Sequence, residues 1–202
     1  MSTRAKVWLL VALLLLGGAL ALERYLAHGI SARDQPTAVE AFIARRLQHL
    51  AIPRAQREAK NPLPPSPEVL ADGRAHFADH CAICHGNDGR GQTEIGQNLY
   101  PKAPDMRLPE TQSLSDGELF YIIKNGIRLT GMPAWGEPGS EEDAENWELV
   151  HFIRHLRDLS PAELKEMEAL NPISPGELAE RQEEEKFLAG EESPAKPPNH
   201  HH

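Results

Sequence analysis

The chain has 202 residues, a formal net charge of −9 and two cysteines. Residues 1–66 carry 9 basic and 4 acidic side chains, a balance of +5, whereas residues 67–159 carry 8 basic and 16 acidic ones, a balance of −8. The acidic region excludes nucleic acid as an expected partner and favours proteins with a basic docking patch. An acidic surface that only keeps an exported protein soluble would give the same balance.

Residues 1–30 have the pattern of an export signal or a membrane anchor. Arg4 and Lys6 precede an uninterrupted apolar run from Val7 to Leu22, as in secretion signals. The run is slightly shorter than the roughly 20 residues that cross a bilayer as a helix. Apolar character continues after Glu23 and Arg24, through Tyr25, Leu26 and Ala27.

We expect this segment to be retained as a single transmembrane helix. The basic residues at its start would stay in the cytoplasm, and everything after about residue 25 would be exported. Cleavage is the alternative, since Ala19-Leu20-Ala21 has the small-x-small pattern that signal peptidase accepts.

Residues 31–66 predict a spacer helix and a Pro-rich linker. Thr37 and Glu40 form a candidate capping box, and Ile52-Pro53 ends the helical pattern. Its apolar residues are Val39, Phe42, Ile43, Leu47 and Leu50, with Arg45 and Arg46 on another face. Such a helix can lie on lipid, pack on the following domain or meet a partner subunit. The prolines between Asn61 and Pro67 predict a stiff, extended connection.

Cys81-Ala82-Ile83-Cys84-His85 is a C-x-x-C-H run, the attachment signature of a c-type haem. Each thiol can add to one vinyl group of the porphyrin, and the adjacent histidine becomes the proximal iron ligand. A bare C-x-x-C would also suit thioredoxin-like chemistry or half a zinc site. The adjacent His85 and the absence of any other cysteine argue against both.

Residues 67–159 predict three helices and little strand. The first starts at the Ser66 cap and runs to about His80, with Gly73 and Phe77 spaced to let another helix cross closely. The second starts at the capping box Ser115-x-x-Glu118 and stops at Asn125-Gly126. The third extends from Glu141 to Leu159, with an apolar stripe formed by Trp147, Val150, Ile153 and Leu156.

These residues resemble a class I c-type cytochrome, an all-α fold in which three to five helices surround one covalent haem. The resemblance covers residues 67–159 and implies one haem c bound by Cys81 and Cys84. It implies His85 as the proximal iron ligand and a methionine as the distal one, in a loop before the last helix. Met132, in Gly131-Met132-Pro133-Ala134-Trp135, occupies that place.

Other side chains compete as the sixth ligand. Met106 follows Pro104-Asp105 and is the alternative methionine, because Met1 begins the signal and Met167 lies beyond the expected domain. Bis-histidine ligation is a further alternative. The histidines outside the motif and the C-terminal run are His28, His49, His76, His80, His151 and His155. His151 and His155 have the spacing of a metal-binding pair, but we expect a solvated surface pair, since no third ligand is evident.

The resemblance also implies a proline carbonyl that accepts the ring proton of the proximal histidine, fixing the ring and raising its donor strength. Both Pro101 and Pro104 follow the motif, and the sequence does not choose between them. Tyr100, Trp135 and Arg107 are candidates to line the haem pocket or meet its propionates. Ordinary packing or surface exposure explains each of them equally well.

Residues 160–202 predict an acidic tail of short helices followed by disorder. Helix starts are indicated at Ser160-Pro161 and Ser174-Pro175, with the second pattern ending by about Gly190. The terminal Asn199-His200-His201-His202 fits either a native metal-binding tract or part of an added tag.

The expected function is that of a membrane-anchored, periplasmic monohaem cytochrome of the bacterial inner membrane. It would carry single electrons between a redox donor and a redox acceptor and would not be an enzyme. The alternative is a fixed electron-entry subunit of a larger oxidoreductase, of the nitric oxide reductase or terminal oxidase type. A third interpretation, a haem enzyme or gas sensor, requires a labile Met132.

Overall fold

The computed structural model describes residues 2–27, 31–136, 143–173 and 175–188. Over these ranges every regular element is helical and no strand is present. His28, the helix start at Glu141, Ser174 and the C-terminal histidines, all named above, lie outside the described residues.

Helix α1, Thr3–Ala27, contains the whole apolar N-terminal run. Its 25 residues correspond to a length of about 37 Å, enough to cross the hydrocarbon core of a bilayer. The side chains of α1 are exposed, so no protein contact accounts for its apolar composition. It is the one helix within the described ranges that is long and apolar enough to cross a membrane.

The spacer contains helix α2, Ala38–Ala51, and the single turn α3, Arg54–Arg57. Thr37 caps α2 by accepting a hydrogen bond from the amide of Glu40, and Ile52 ends it, both as expected. Among the hydrogen bonds described, the reciprocal half of the capping box is absent. The Glu40 carboxylate instead accepts a hydrogen bond from the Tyr100 hydroxyl at 2.5 Å.

The first helix of the domain, α4, spans Pro67–His76 and has Ser66 as its cap, as predicted. It passes into a π-helical turn, Phe77–Cys81, and then into α5, Ala82–His85. The expected single helix to about His80 therefore changes its winding where it meets the motif.

The rest of the domain is two single turns and two longer helices: α6, Glu94–Gln97; α7, Pro109–Gln112; α8, Asp116–Asn125; and α9, Ala144–His155. The Ser115–Glu118 capping box is complete, and Gly126 ends α8 with a φ of 64°. Both features confirm the sequence prediction.

The core forms where α4 crosses α9. Phe77, Leu149 and Phe152 are fully buried, and the rings of Phe77 and Phe152 lie 5.0 Å apart. The ring of Phe120 in α8 stacks on that of Trp147 at 4.1 Å. The predicted apolar stripe of the last helix is confirmed, because all four of its members are buried: Trp147, Val150, Ile153 and Leu156.

Two helices follow, α10, Pro161–Leu170, and α11, Pro175–Leu188. Helix α10 has a complete capping box between Ser160 and Glu163. Its Met167 is fully buried in the core cluster. Helix α10 therefore contributes to the core of the domain, although it follows the expected domain boundary at residue 159. Met167, expected beyond the domain, is part of that core.

The spacer is attached to the domain. Ile52 is buried, Leu63 packs against the core, and Asn61 donates a hydrogen bond to the carbonyl of Trp147 at 2.8 Å. Nδ1 of His49 lies 2.7 Å from Oε1 of Glu118. These contacts show that the spacer packs on the domain, one of the three arrangements expected beside contact with lipid and contact with a partner subunit.

Candidate haem-binding site

The C-x-x-C-H motif lies at the junction of the π-helical turn and α5. The wider π-helical winding, in which the amide of Ala82 bonds to the carbonyl of Phe77, shifts the register of the side chains just before the motif. Such turns within α-helices are frequent at functional sites. Phe77 and Ala78 are buried against the core, while Cys81 and Cys84 are half-buried.

Cys81 and Cys84 are not joined by a disulfide bond. Burial, with a smaller contribution from Cys84, raises the pKa of Cys81 to about 12. Burial also raises the pKa of Cys84. Both side chains are therefore protonated thiols near pH 7.

His85 is buried, at 9% exposure. Burial lowers the pKa of its imidazole to about 4, against a smaller opposing effect of the Pro104 backbone. The ring is therefore uncharged near pH 7, and a neutral imidazole is the form that ligates iron.

The Nδ1 atom of His85 faces the loop that contains the two candidate prolines, Pro101 and Pro104. Nδ1 is buried and makes no hydrogen bond of ordinary geometry. The Pro104 carbonyl nevertheless lies close enough to raise the pKa of the ring. Between the two alternatives, this contact supports Pro104 over Pro101 as the acceptor that would orient the imidazole.

The backbone around the motif is tied to the following loop. The Thr93 hydroxyl donates to the carbonyl of Cys84 at 3.0 Å and accepts from the amide of Gly96, which caps α6. The amide of Gly91 donates to the carbonyl of His85 at 2.7 Å. Sequence reasoning missed Thr93, although a threonine before Glu94 at the start of a short helical pattern is a recognisable cap signal.

Met132 lies in a loop that is fixed to the end of α8. It is half-buried and packs against the core cluster. Its amide donates to the Thr130 hydroxyl at 3.1 Å, and its carbonyl accepts from the amide of Ile127. The next turn is held by the amide of Trp135, which donates to the carbonyl of Ile123. Several backbone contacts thus hold the methionine in place.

The loop packs directly on Gly126. A Cβ atom at this position would lie 2.6 to 2.8 Å from the backbone of Met132, Pro133 and Ala134, closer than real Cβ atoms approach. The positive φ of Gly126 also disfavours any other residue. One glycine therefore ends α8 and makes room for the methionine loop.

The rival methionine has a different environment. Met106 is 7% exposed, and its amide donates to the carbonyl of Gly89 at 2.8 Å. It belongs to the buried core cluster, whereas Met132 is partly exposed at its margin. A position at the margin of the core suits a residue that contacts a bound group, and core packing accounts for Met106.

The other histidines have protein partners. Nε2 of His151 lies 3.0 Å from the carbonyl of Leu63, and Nε2 of His155 lies 2.8 Å from Oε1 of Glu163. Both are half-buried, so the expected solvated pair is wrong: each histidine bridges α9 to a different segment. In the described ranges, no group of three or more histidine, cysteine or acidic side chains could hold a metal ion.

His76 and His80 lie next to each other before the motif, with ring centres 4.8 Å apart. The ring of His80 also meets that of Trp135 edge-on at 5.2 Å. Burial, with His80 as a smaller cause, lowers the pKa of His76.

Two of the three candidate pocket residues are engaged elsewhere. Arg107 forms a two-point ion pair with Asp105, at 2.9 and 2.6 Å, and Tyr100 bonds to Glu40. That hydrogen bond is the main cause that raises the pKa of Tyr100 to about 12. Trp135 is 36% exposed and lies beside the methionine loop. Of the three, Trp135 is the one placed to meet a group bound between that loop and the motif.

The residues present fit a covalently bound haem. Two neutral thiols three residues apart and a buried, uncharged imidazole lie on consecutive turns of one helix, and a half-buried thioether is held on a rigid loop. When bound, haem c would be held by Cys81, Cys84 and His85, with Met132 as the candidate distal ligand.

Residues 68–153 match the family described as "Cytochrome C oxidase, cbb3-type, subunit III". The match and the all-helical fold with its crossing helices define a c-type cytochrome domain with the class I fold. The matched residues make up less than half of the chain, and a domain of this class implies haem c as its cofactor.

Particular relatives support this assignment. The chain is similar to a thiosulfate dehydrogenase of Stutzerimonas stutzeri, with 30% identity over 95 residues, 46% of this chain and 29% of that protein. It is similar to the cbb3-type cytochrome c oxidase subunit FixP of Sinorhizobium medicae, with 31% identity over 84 residues, 39% of this chain and 27% of that protein. It is also similar to subunit FixPc of Rhizobium leguminosarum, with 33% identity over 94 residues, 46% of this chain and 30% of that protein. The match spans less than a third of each relative.

Proposed function

We propose that this protein is a membrane-anchored monohaem cytochrome that carries single electrons between a donor and an acceptor protein. The observation that carries the proposal is the C-x-x-C-H motif itself, which folds into the turn that ends at His85 and buries that side chain to 9% exposure. Its relatives' names and the family match support electron transfer as the role of the domain.

The roles of the residues follow from their chemistry. Cys81 and Cys84 would hold one haem through thioethers, and His85 and Met132 would be its iron ligands. When bound, haem c supplies a one-electron iron couple, and a methionine ligand raises its potential. If His85 and Met132 both held the iron, no coordination site would remain for a substrate, which favours a carrier over an enzyme.

The proposed location is the outer, periplasmic side of the bacterial inner membrane. Helix α1 is the anchor, and Arg4 and Lys6 at its start favour retention of that end in the cytoplasm. Residues after the helix would then be exported, to the compartment in which the resemblance implies haem attachment to C-x-x-C-H motifs.

A second candidate is a fixed electron-entry subunit of a larger oxidoreductase. The observation in its favour is that two relatives are named as subunits of cbb3-type oxidases. Purification in a mild detergent separates the two: a stable monomer supports the mobile carrier, and a stoichiometric integral membrane partner supports the fixed subunit. The thiosulfate dehydrogenase relative makes catalysis a third candidate, which requires an iron position left open by Met132.

The test of the proposal is the intact mass of the exported chain, combined with haem extraction under acidic conditions. We expect one haem per chain, resistant to extraction. Cys84→Ala should retain at most one thioether and yield much less haem-bound chain. Ile83→Ala is the matched control, because Ile83 lies between the two cysteines and its side chain is exposed. A wild-type chain whose haem is fully extractable would overturn the proposal.

A further inference from the structure

Helix α2 is amphipathic, and its apolar face points away from the domain. Its large apolar side chains are between 50% and 71% exposed: Val39, Phe42, Ile43, Leu47 and Leu50. They lie along one side of the helix, where an amphipathic helix of a globular domain would contact its core. The described residues leave this face uncovered.

The orientation of α2 is fixed by contacts of its other face. Glu40 accepts the hydrogen bond of Tyr100 on one flank, and His49 contacts Glu118 on the opposite flank. Ala41 and Gln48, which the helical period places between these flanks, are half-buried. The helix therefore cannot turn its apolar side inward without losing the contacts that attach it to the domain.

The charges around this face are basic. The expectation that Arg46 lies on another face is wrong, because its guanidinium lies over the ring of Phe42 at 5.5 Å, within the apolar stripe. The spacer, residues 31–66, carries 6 basic and 3 acidic side chains, a balance of +3, against −8 for residues 67–159. An anionic lipid surface would therefore attract the spacer and repel the domain behind it. Apolar residues with arginines on the same helix are also the pattern of helices that lie in a bilayer interface.

The position of α2 along the chain brings it to the membrane. Residues 28–37 connect the end of α1 to the start of α2. Fully extended, this connection spans at most about 35 Å. If α1 crosses the bilayer, α2 stays within that distance of the surface in every copy of the protein, so lipid is the nearest apolar phase that can cover its exposed face.

We infer that α2 lies in the headgroup region of the bilayer, with the face formed by Val39, Phe42, Ile43, Leu47 and Leu50 against lipid. This inference rests on the proposed role of α1 as the anchor. Because α2 is fixed to the domain, its contact with lipid would set the height and tilt of the domain over the membrane. The electron-transfer site would then search for partners within a plane at a defined height.

The test uses the full-length haem-loaded chain in nanodiscs of phosphatidylcholine with a quarter of phosphatidylglycerol. A phospholipid that carries a photoactivated carbene probe in its acyl chain labels residues that contact lipid, and peptide mass spectrometry locates the labels. We expect labels in both α1 and α2. The loop peptide containing Leu129, which is 93% exposed on the domain, should remain unlabelled and serves as the internal control.

Two variants sharpen the experiment. Phe42→Glu with Leu47→Glu should reduce labelling of α2 severalfold and leave that of α1 unchanged, because charged side chains are expelled from the apolar layer. Leu129→Glu is the matched control and should change neither. Labelled α1 with unlabelled α2 in the wild-type chain overturns the inference and assigns the face to a protein partner or a second copy. Unlabelled α1 overturns the anchor itself, and the inference with it.

Discussion

Gly73 of α4 lies directly against the backbone carbonyl of Glu148 in α9. A Cβ atom on Gly73 would overlap that carbonyl and approach the amide of Leu149 to 3.3 Å. The contact involves backbone rather than a flexible side chain, so neither helix can yield without moving as a unit. This close approach permits the crossing on which the haem domain is built.

Gly73→Ala should therefore destabilise the domain. We expect a loss of about 1–3 kcal/mol in the free energy of unfolding, the usual range for overpacking a core, although alanine has the better helix propensity. Denaturant unfolding followed by the absorbance of the domain measures it. Gly18→Ala in α1 is the matched control, since nothing lies within 4 Å of that position. Equal stability of the two variants would show that the helices are not held at this distance.

Glu163 should make the stability of the domain sensitive to acid. Burial would raise the pKa of its carboxyl, but hydrogen bonds from Ser160 and the contact with His155 lower it to about 2. The folded pKa lies below the ordinary value of 4.5, so the unfolded chain takes up the proton first. The resulting stabilisation is complete above about pH 5 and is lost as the pH falls towards 2.

Glu163→Gln should lower the free energy of unfolding by about 2 kcal/mol near pH 7, since it weakens charge-assisted hydrogen bonds to Arg74 and Ser160. The difference from wild type should shrink as the pH falls from 5 to 3. The exposed Glu168→Gln on the same helix is the control. If the stability difference between wild type and Glu163→Gln stayed constant with pH, the role assigned to this carboxylate would be contradicted. Equal stability of the two proteins would show that Glu163 does not hold α10 on the domain.

His49→Ala should loosen the spacer. It removes the 2.7 Å contact with Glu118 and the contact of Nε2 with Arg57 at 2.9 Å. Because His49 is about half exposed, we expect only about 0.5–1 kcal/mol, expressed as faster amide hydrogen exchange in α2 and α3 with unchanged exchange in α9. Arg54→Ala, which breaks an exposed pair with Glu58, is the control. Unchanged exchange in α2 would mean that Tyr100 and Ile52 hold the spacer without this contact.

Met132→Leu should remove the proposed distal ligand and leave haem attached. The long-wavelength absorption band typical of a methionine-ligated ferric haem should disappear and the reduction potential should fall. Because leucine and methionine have similar volumes, stability should change by less than about 1.5 kcal/mol. Met106→Leu is the matched control and should keep the band. If the Met106 variant lost the band and the Met132 variant kept it, Met106 and not Met132 would be the iron ligand.

The elements with strong local signals were predictable from the sequence. Capping residues at Ser66, Ser115 and Ser160, the stop at Gly126 and the apolar stripe on α9 all reflect interactions within a few residues of each other. The C-x-x-C-H spacing predicts the cofactor, because two thiols and an imidazole at that spacing match one porphyrin edge and its iron.

The features that were missed depend on contacts between distant segments. Glu40 has the spacing of a capping-box partner, but Tyr100, sixty positions away, takes its carboxylate. His151 and His155 have the spacing of a metal-binding pair and were expected to be solvated, yet they bond to Leu63 and Glu163. Met167 fills the core from a helix that reads as part of an acidic tail. Local periodicity carries no information about such pairings.

The exposed apolar face of α2 shows a further limit. The sequence predicts an amphipathic helix but not which side meets the domain. Contacts of Glu40 and His49 with the domain turn the polar side of α2 towards it. The apolar side therefore faces outward, the reverse of the usual orientation of an amphipathic helix. An amphipathic pattern alone would have placed Phe42 and Leu47 inside.

The central claim is that His85 and Met132 together leave no open iron position, so that the protein carries electrons. The most direct test is the absorption spectrum of the purified full-length ferric protein, followed by addition of carbon monoxide to the ferrous form. The account predicts the weak long-wavelength band of methionine ligation and a ferrous spectrum that carbon monoxide leaves unchanged. Absence of that band together with tight carbon monoxide binding would contradict it.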